Sequence, residues 1–137
     1  MEDIKQFFDF LKEKEGKDYP LIYKLIYNPE SITPEDLNVK GSLYLDQIRS
    51  VLSLPDNLEV GGDLYLQGTK ITSLPNNLKV GGSLFIQTCP IKDIPKNMFI
   101  EQHFYCKGTP LARNNSRVAI RSMVMSKGGS VRGGILA

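Results

Sequence analysis

The chain of 137 residues has little of the material from which a metal centre, a redox site or a disulfide framework is built. It contains two cysteines, Cys89 and Cys106, and one histidine, His103. Two thiols are too few for a disulfide framework and lack metal-ligand spacing, and His103 has no companion ligands in sequence, so reduced thiols and no metal or cofactor are expected. No apolar run approaches the roughly 18 to 20 residues that cross a bilayer. The opening MEDIKQFF is acidic where a secretory leader is basic and interrupted by charge where a leader is apolar, which points to cytoplasmic residence. Acidic residues are missing from one stretch altogether. Residues 113–137 carry Arg113, Arg117, Arg121, Lys127 and Arg132 and no Asp or Glu, whereas the whole chain has a net charge of only +2. With hydrophobic residues at 41% and charged residues at 23%, the remaining composition is that of an ordinary globular chain with one core.

What the sequence does contain is a repeat. SLPDNLEVGGDLYLQGTKIT from Ser53, SLPNNLKVGGSLFIQTCPIK from Ser73 and DIPKNMFIEQHFYCKGTPLA from Asp93 align without gaps at a period of 20 residues. A more divergent copy, TPEDLNVKGSLYLDQIRSVL, precedes them at an offset of 21, with one residue inserted after Leu45. Self-similarity at this period marks stacked units, none of which can bury its apolar face alone. Within a unit, Leu58, Val60, Leu64 and Leu66 alternate with Glu59, Asp63 and Tyr65, a period of two that predicts extended chain with one face inward. Gly61-Gly62 and Gly81-Gly82 allow a bend where the chain enters its short strand, and Gly41 keeps half of that device. Ile71 and Leu74 point back inward, and Pro55, Pro75 and Pro95 fix the next corner.

The run Leu64-Tyr65-Leu66-Gln67-Gly68-Thr69-Lys70-Ile71 resembles the core of a leucine-rich repeat, as do Leu84 to Ile91 and Phe104 to Leu111. The preceding Leu-Pro-x-Asn-Leu is similar to the short repeats of bacterial effectors and of bacteriophage repeat proteins. The resemblance covers residues 34–112. It implies a leucine-rich-repeat solenoid with a short parallel β-sheet on its concave side and irregular outer connections, which with an N-terminal helical cap makes an α+β repeat fold. Thr69, Cys89 and Thr109 stand where the family prefers Asn in the turn, which leaves its buried asparagine ladder at best partial. Effectors with such repeats can carry a ubiquitin-ligase domain, for which the 25 residues after residue 112 are too few.

Three regions follow. Residues 1–31 form the cap: Ile4, Phe7, Phe8 and Leu11 have helical spacing over residues 3–15, and a second helix beginning near Pro20 carries Leu21, Ile22, Leu25 and Ile26 and stops before Pro29. Residues 32–112 hold four repeats. Residues 113–137 are a basic, glycine-rich C-terminal cap or tail in which Val118, Ile120, Met123, Val124 and Met125 can cover the last coil, while SKGGSVRGGILA beyond them is expected to be mobile.

Register allows the outward positions to be aligned. Tyr44, Tyr65, Phe85 and Tyr105 form an aromatic column, flanked by Ser42, Asp63, Ser83 and His103 on one side and by Asp46, Gln67, Gln87 and Lys107 on the other. An aromatic stripe with a polar rim has the composition of a binding hot spot, and the same rings can also stabilise the sheet by stacking on one another. Cys89 and Cys106 occupy structural slots, and strand alternation sends His103 and Cys106 to opposite faces, which argues against a catalytic pair. The glycine pairs precede no Lys-Ser/Thr and no long helix, so a phosphate loop is not expected.

The expectation is thus a non-enzymatic protein-binding module of phage or bacterial effector type, one that occludes or inhibits a host protein such as a CRISPR-type defence complex. Its proposed contacts are Tyr44, Tyr65, Phe85, Tyr105, Asp63, Gln67, Gln87, His103 and Lys107, and no membrane is involved. Two alternatives stay open: nucleic-acid binding through Arg113, Arg117, Arg121, Lys127 and Arg132 together with the aromatic rings, and homo-oligomerisation through an open solenoid end or the mobile tail.

Overall fold

The computed structural model describes residues 20–137. Their backbone winds into the stacked coils of a β-solenoid, and each coil contributes two strands of two residues. One parallel five-stranded sheet consists of β1 (Asn38–Val39), β3 (Glu59–Val60), β5 (Lys79–Val80), β7 (Phe99–Ile100) and β9 (Ser130–Val131). The other consists of β2 (Leu43–Tyr44), β4 (Leu64–Tyr65), β6 (Leu84–Phe85), β8 (Phe104–Tyr105) and β10 (Ile135–Leu136). Neighbouring strands join the same slot of successive coils, for example Val60 to Val80 and Tyr65 to Phe85.

The sequence reading expected one sheet and irregular connections, and the second sheet corrects it. Leu58 and Val60 point inward with Glu59 outward, the chain turns at Gly61-Gly62, and Leu64 and Leu66 then point inward with Tyr65 outward. Wherever the coil is extended, its backbone groups meet their equivalents one coil away, at about 4.8 Å, and pair with them. The corner depends on glycine: a Cβ at Gly81 would strike the Gly61 carbonyl oxygen of the preceding coil, and one at Gly82 would strike the Asp63 carboxylate.

Each coil fills the same apolar slots. Leu58, Val60, Leu64, Leu66 and Ile71 of one coil are stacked beneath Leu78, Val80, Leu84, Ile86 and Ile91 of the next, all at most 2% exposed. Each such side chain contributes about 1.5–3 kcal/mol of transfer free energy. The corner opposite the glycines is held by a second column. Asn57, Asn77 and Asn97 adopt left-handed backbone (φ 69°, 61° and 56°), and Gly128 takes the fourth place at φ 86°. Asn77 Nδ2 donates to Asn57 Oδ1 (2.7 Å) and Asn97 Nδ2 to Asn77 Oδ1 (3.0 Å). An asparagine ladder therefore exists, on the surface at the Leu-Pro-x-Asn-Leu corner, while Thr69, Cys89 and Thr109 line the buried turn.

The ends show how the stack is begun and stopped. At the first coil, α1 (Leu21–Tyr27) follows Pro20 as expected, puts Leu25 into the core and packs Leu21, Ile22 and Ile26 against it. Lys24 is 1% exposed, and its Nζ donates to Asp36 Oδ2 at 2.8 Å. That hydrogen bond, with another from the Thr33 backbone N–H, lowers the Asp36 carboxyl below its usual range. The helix expected over residues 3–15, with Ile4, Phe7, Phe8 and Leu11, lies outside the described residues. Among the described residues no helix is long and apolar enough to cross a membrane.

At the other end the expected mobile tail is corrected: the stretch after Met125 forms a fifth coil. Phe99 pairs with Ser130, a step of 31 rather than 20 residues, and the longer step accommodates α2 (Pro110–Asn114) and α3 (Arg117–Ser126). The boundary at residue 112 accordingly falls inside the solenoid. Thr109 and Ser116 cap the two helices, their side-chain oxygens accepting from Ala112 N–H and Ala119 N–H at 3.1 Å. Ile120 and Val124 of α3, with Val131 and Ile135, close the core.

Candidate functional site

The outward aromatic column is continuous. Tyr44 and Tyr65 have ring centroids 4.8 Å apart at 7°, Tyr65 and Phe85 4.6 Å at 9°, and Phe85 and Tyr105 4.5 Å at 3°. These spacings match the strand separation, so each ring covers the face of the next. Tyr44 is 61% exposed, and Leu136 takes the fifth place in the column at 37%.

The two flanking columns divide. Along the first, each side chain accepts a hydrogen bond from the backbone of the next coil: Asp63 N–H donates to Ser42 Oγ (2.9 Å), Ser83 N–H to Asp63 Oδ1 (2.7 Å), His103 N–H to Ser83 Oγ (3.1 Å) and Gly134 N–H to His103 Nδ1 (2.9 Å). Asp63 and His103, expected among the contact residues, are thus engaged in holding coil to coil. Asp63 Oδ2 also accepts from the Tyr65 hydroxyl at 3.2 Å. Desolvation, and after it the Asp63 carboxylate, pushes the Tyr65 phenol upward in pKa. The second column carries Asp46, Gln67, Gln87 and Lys107. Oε1 of Gln67 and of Gln87 is buried without a hydrogen-bond partner, whereas Lys107 is exposed.

The cysteines sit inside. Cys89 Sγ donates to the Leu66 carbonyl (3.0 Å) and touches Thr69 Oγ1 (3.4 Å). Burial pushes the Cys106 thiol up to about 11, away from the thiolate a nucleophile needs. His103 faces out and Cys106 in, on opposite sides of the sheet.

Most of the basic residues expected as nucleic-acid contacts have intramolecular partners. Arg121 donates from Nη1 to the Val131 carbonyl (2.6 Å) and from Nη2 to the Gly133 carbonyl (2.7 Å). One coil earlier, the equivalent Ile100 and Gln102 carbonyls accept from Arg132 N–H and Gly133 N–H. Arg121 therefore supplies to this sheet edge the donors that the backbone of the following coil supplies to the edges before it, and so blocks it. Lys127 Nζ donates to the Ile94 carbonyl (2.7 Å), Arg113 Nη1 to the Gly108 carbonyl (3.2 Å), and Arg132 Nε lies 3.5 Å from Glu101 Oε2.

Arg117 is different, and sequence reasoning missed its surroundings. With Lys107, Tyr105, Gln87, Leu136 and Ala137 it lines a cleft of about 290 Å³ at the C-terminal end of the aromatic stripe. A groove of about 400 Å³ adjoins this cleft through Arg117 and Leu136, and is lined further by Val118 and Met125, which are 77% and 64% exposed. Helical spacing carries the signal: Ile120 and Val124 lie one turn apart on the inward stripe, and Val118 and Met125, seven residues apart, on another. No family model matches the chain, and comparison with curated proteins and with solved structures finds no match.

Proposed function

We infer that the chain is a non-enzymatic protein-binding module whose working surface is the aromatic stripe. The observation that carries this reading is the stacked column of Tyr44, Tyr65, Phe85 and Tyr105 on an outward sheet face. Rings locked by their neighbours present a surface with little left to order on binding. The resemblance to short leucine-rich repeats supports a finer reading: a solenoid of that type with α1 in its N-terminal cap, acting as a phage or bacterial effector that occludes a cytoplasmic host protein such as a CRISPR-type defence complex.

Nucleic-acid binding is less well supported. Bases need open ring faces, and the rings within the column cover one another's faces. Four of the five basic residues are engaged within the chain. The test is capture of a partner from a host extract with wild-type protein and with Tyr44→Ala, which removes the most exposed ring at the end of the stack. Loss of the captured protein from a variant that stays folded is expected; unchanged capture would refute the role of the stripe.

A further inference from the structure

We propose that the C-terminal end of the aromatic stripe is a docking site for an acidic, apolar segment of a protein partner, with carboxylates seated between Lys107 and Arg117 and an apolar side chain in the adjoining groove. This rests on the reading of the stripe as a protein-binding face and adds the chemistry of what it binds.

Charge is distributed unevenly along the face. The carboxylates Asp46 and Asp63 flank Tyr44 and Tyr65 at one end, and Lys107 and Arg117 flank Tyr105 at the other. No acidic side chain lines either the cleft or the adjoining groove, and the one carboxyl at the cleft is the main-chain carboxyl of Ala137, which forms no ion pair with Lys107 or Arg117. Neither cation has an ion-pair partner among the described residues, in contrast to Arg132 with Glu101 and Lys79 with Glu59. Two side-chain cations against that single carboxyl leave the cleft with an excess of positive charge, which favours a ligand of opposite charge.

The groove selects among anions. Val118, Met125 and Leu136 are among the most exposed large apolar side chains described, and all three line it beside Arg117. A polyphosphate chain would satisfy the cations and leave this apolar surface wet, whereas a segment that alternates carboxylates with leucine- or phenylalanine-sized side chains covers both. The stripe is also short. Five rungs at about 4.8 Å span roughly 20 Å, the reach of about six extended residues, which suits a peptide segment better than a broad domain face needing about 800 Å² per partner.

The test uses labelled synthetic peptides and fluorescence anisotropy at two salt concentrations. A Glu-Leu repeat is expected to bind the full chain and to weaken as salt rises, with a Glu-Ser repeat weaker and a Lys-Leu repeat not binding. Lys107→Glu with Arg117→Glu should weaken the Glu-Leu peptide by roughly tenfold or more. The milder Lys107→Gln with Arg117→Gln should give a smaller loss, and Arg113→Glu, a charge reversal elsewhere, none. Equal binding of the Lys-Leu peptide, indifference to the Lys107 and Arg117 changes, or preferred binding of oligo(dT) lost in the same variants would each overturn the proposal. If partner capture depends on Tyr44 and not on Lys107 and Arg117, the stripe keeps its role and the acidic segment falls.

Discussion

The ring column can be tested as a mechanical element by a double-mutant cycle on Tyr65 and Phe85. Phe85 touches a ring on each side, at 4.6 Å and 4.5 Å. Stacked pairs contribute about 0.5–1.5 kcal/mol beyond their buried area, and half-exposed rings belong in the lower part of that range. Phe85→Ala loses two such contacts together with the transfer energy of a half-buried ring, for a total of about 2–3 kcal/mol. For a chain of this size that corresponds to a fall in Tm of roughly 6–12 °C. Tyr65→Ala removes one contact that Phe85→Ala also removes, so the double variant should be less destabilised than the sum by about 0.5–1 kcal/mol. Tyr44 and Tyr105 are separated by two intervening rings, and their alanine variants should add to within about 0.5 kcal/mol. Urea unfolding followed by far-UV circular dichroism gives all the required free energies. Equal coupling in the two cycles, or none for Tyr65 with Phe85, would show that the rings are not a chain of pairwise contacts and would remove the basis for treating the stripe as rigid.

Arg121→Ala leaves the Val131 and Gly133 carbonyls without their donors and should cost about 2–4 kcal/mol, with amide exchange accelerated first in Ser130–Val131 and Ile135–Leu136; uniform protection along the solenoid would contradict its capping role. At Asn77, replacement by Gly removes two ladder hydrogen bonds and should cost about 1–2 kcal/mol, and replacement by Ala should cost about a further 1 kcal/mol because alanine is strained at φ 61°. Equal Tm values for the two variants would refute that division. The Asp36 carboxyl, lowered in the fold by its hydrogen bond from Lys24, contributes stability that is present above its ordinary value of 3.8 and is lost as pH falls through its folded value. Asp36→Asn should therefore be less stable than wild type at neutral pH, by about 1–3 kcal/mol, with the gap closing only in strong acid. A gap that closed between pH 8 and 6 would point to a different group.

The repeating part of the fold was legible because its slots recur. Leu64, Leu84 and Phe104 fall in register in the sequence and in the sheet, and the rings that follow them had to share one face. The second sheet was not legible, since a two-residue strand such as Glu59–Val60 has no periodicity of its own and exists only because an equal stretch lies one coil away. The fifth coil was hidden by composition. Val131, Gly133 and Ile135 repeat the spacing of Val80, Gly82 and Leu84, but the step of 31 residues and four glycines made the segment read as tail. The roles of Arg121, Asp63 and His103 were invisible for another reason: each is defined by a backbone group in a neighbouring coil, and a string of residues names side chains, not the carbonyls and amides waiting opposite them.

The hydrogen bonds that run from each coil to the next, through Ser42, Asp63, Ser83 and His103, all point the same way, and so does the asparagine ladder. A coil so linked asks of its predecessor only what every coil supplies. A duplicate of residues 73–92 spliced in after its original would meet ready partners above and below, lengthen the ring column by one, and leave α1 and Arg121 at their termini. Length is therefore a freely variable quantity in this architecture, open to duplication and deletion in whole modules, while the few outward letters that differ from one module to the next set the surface that each module shows.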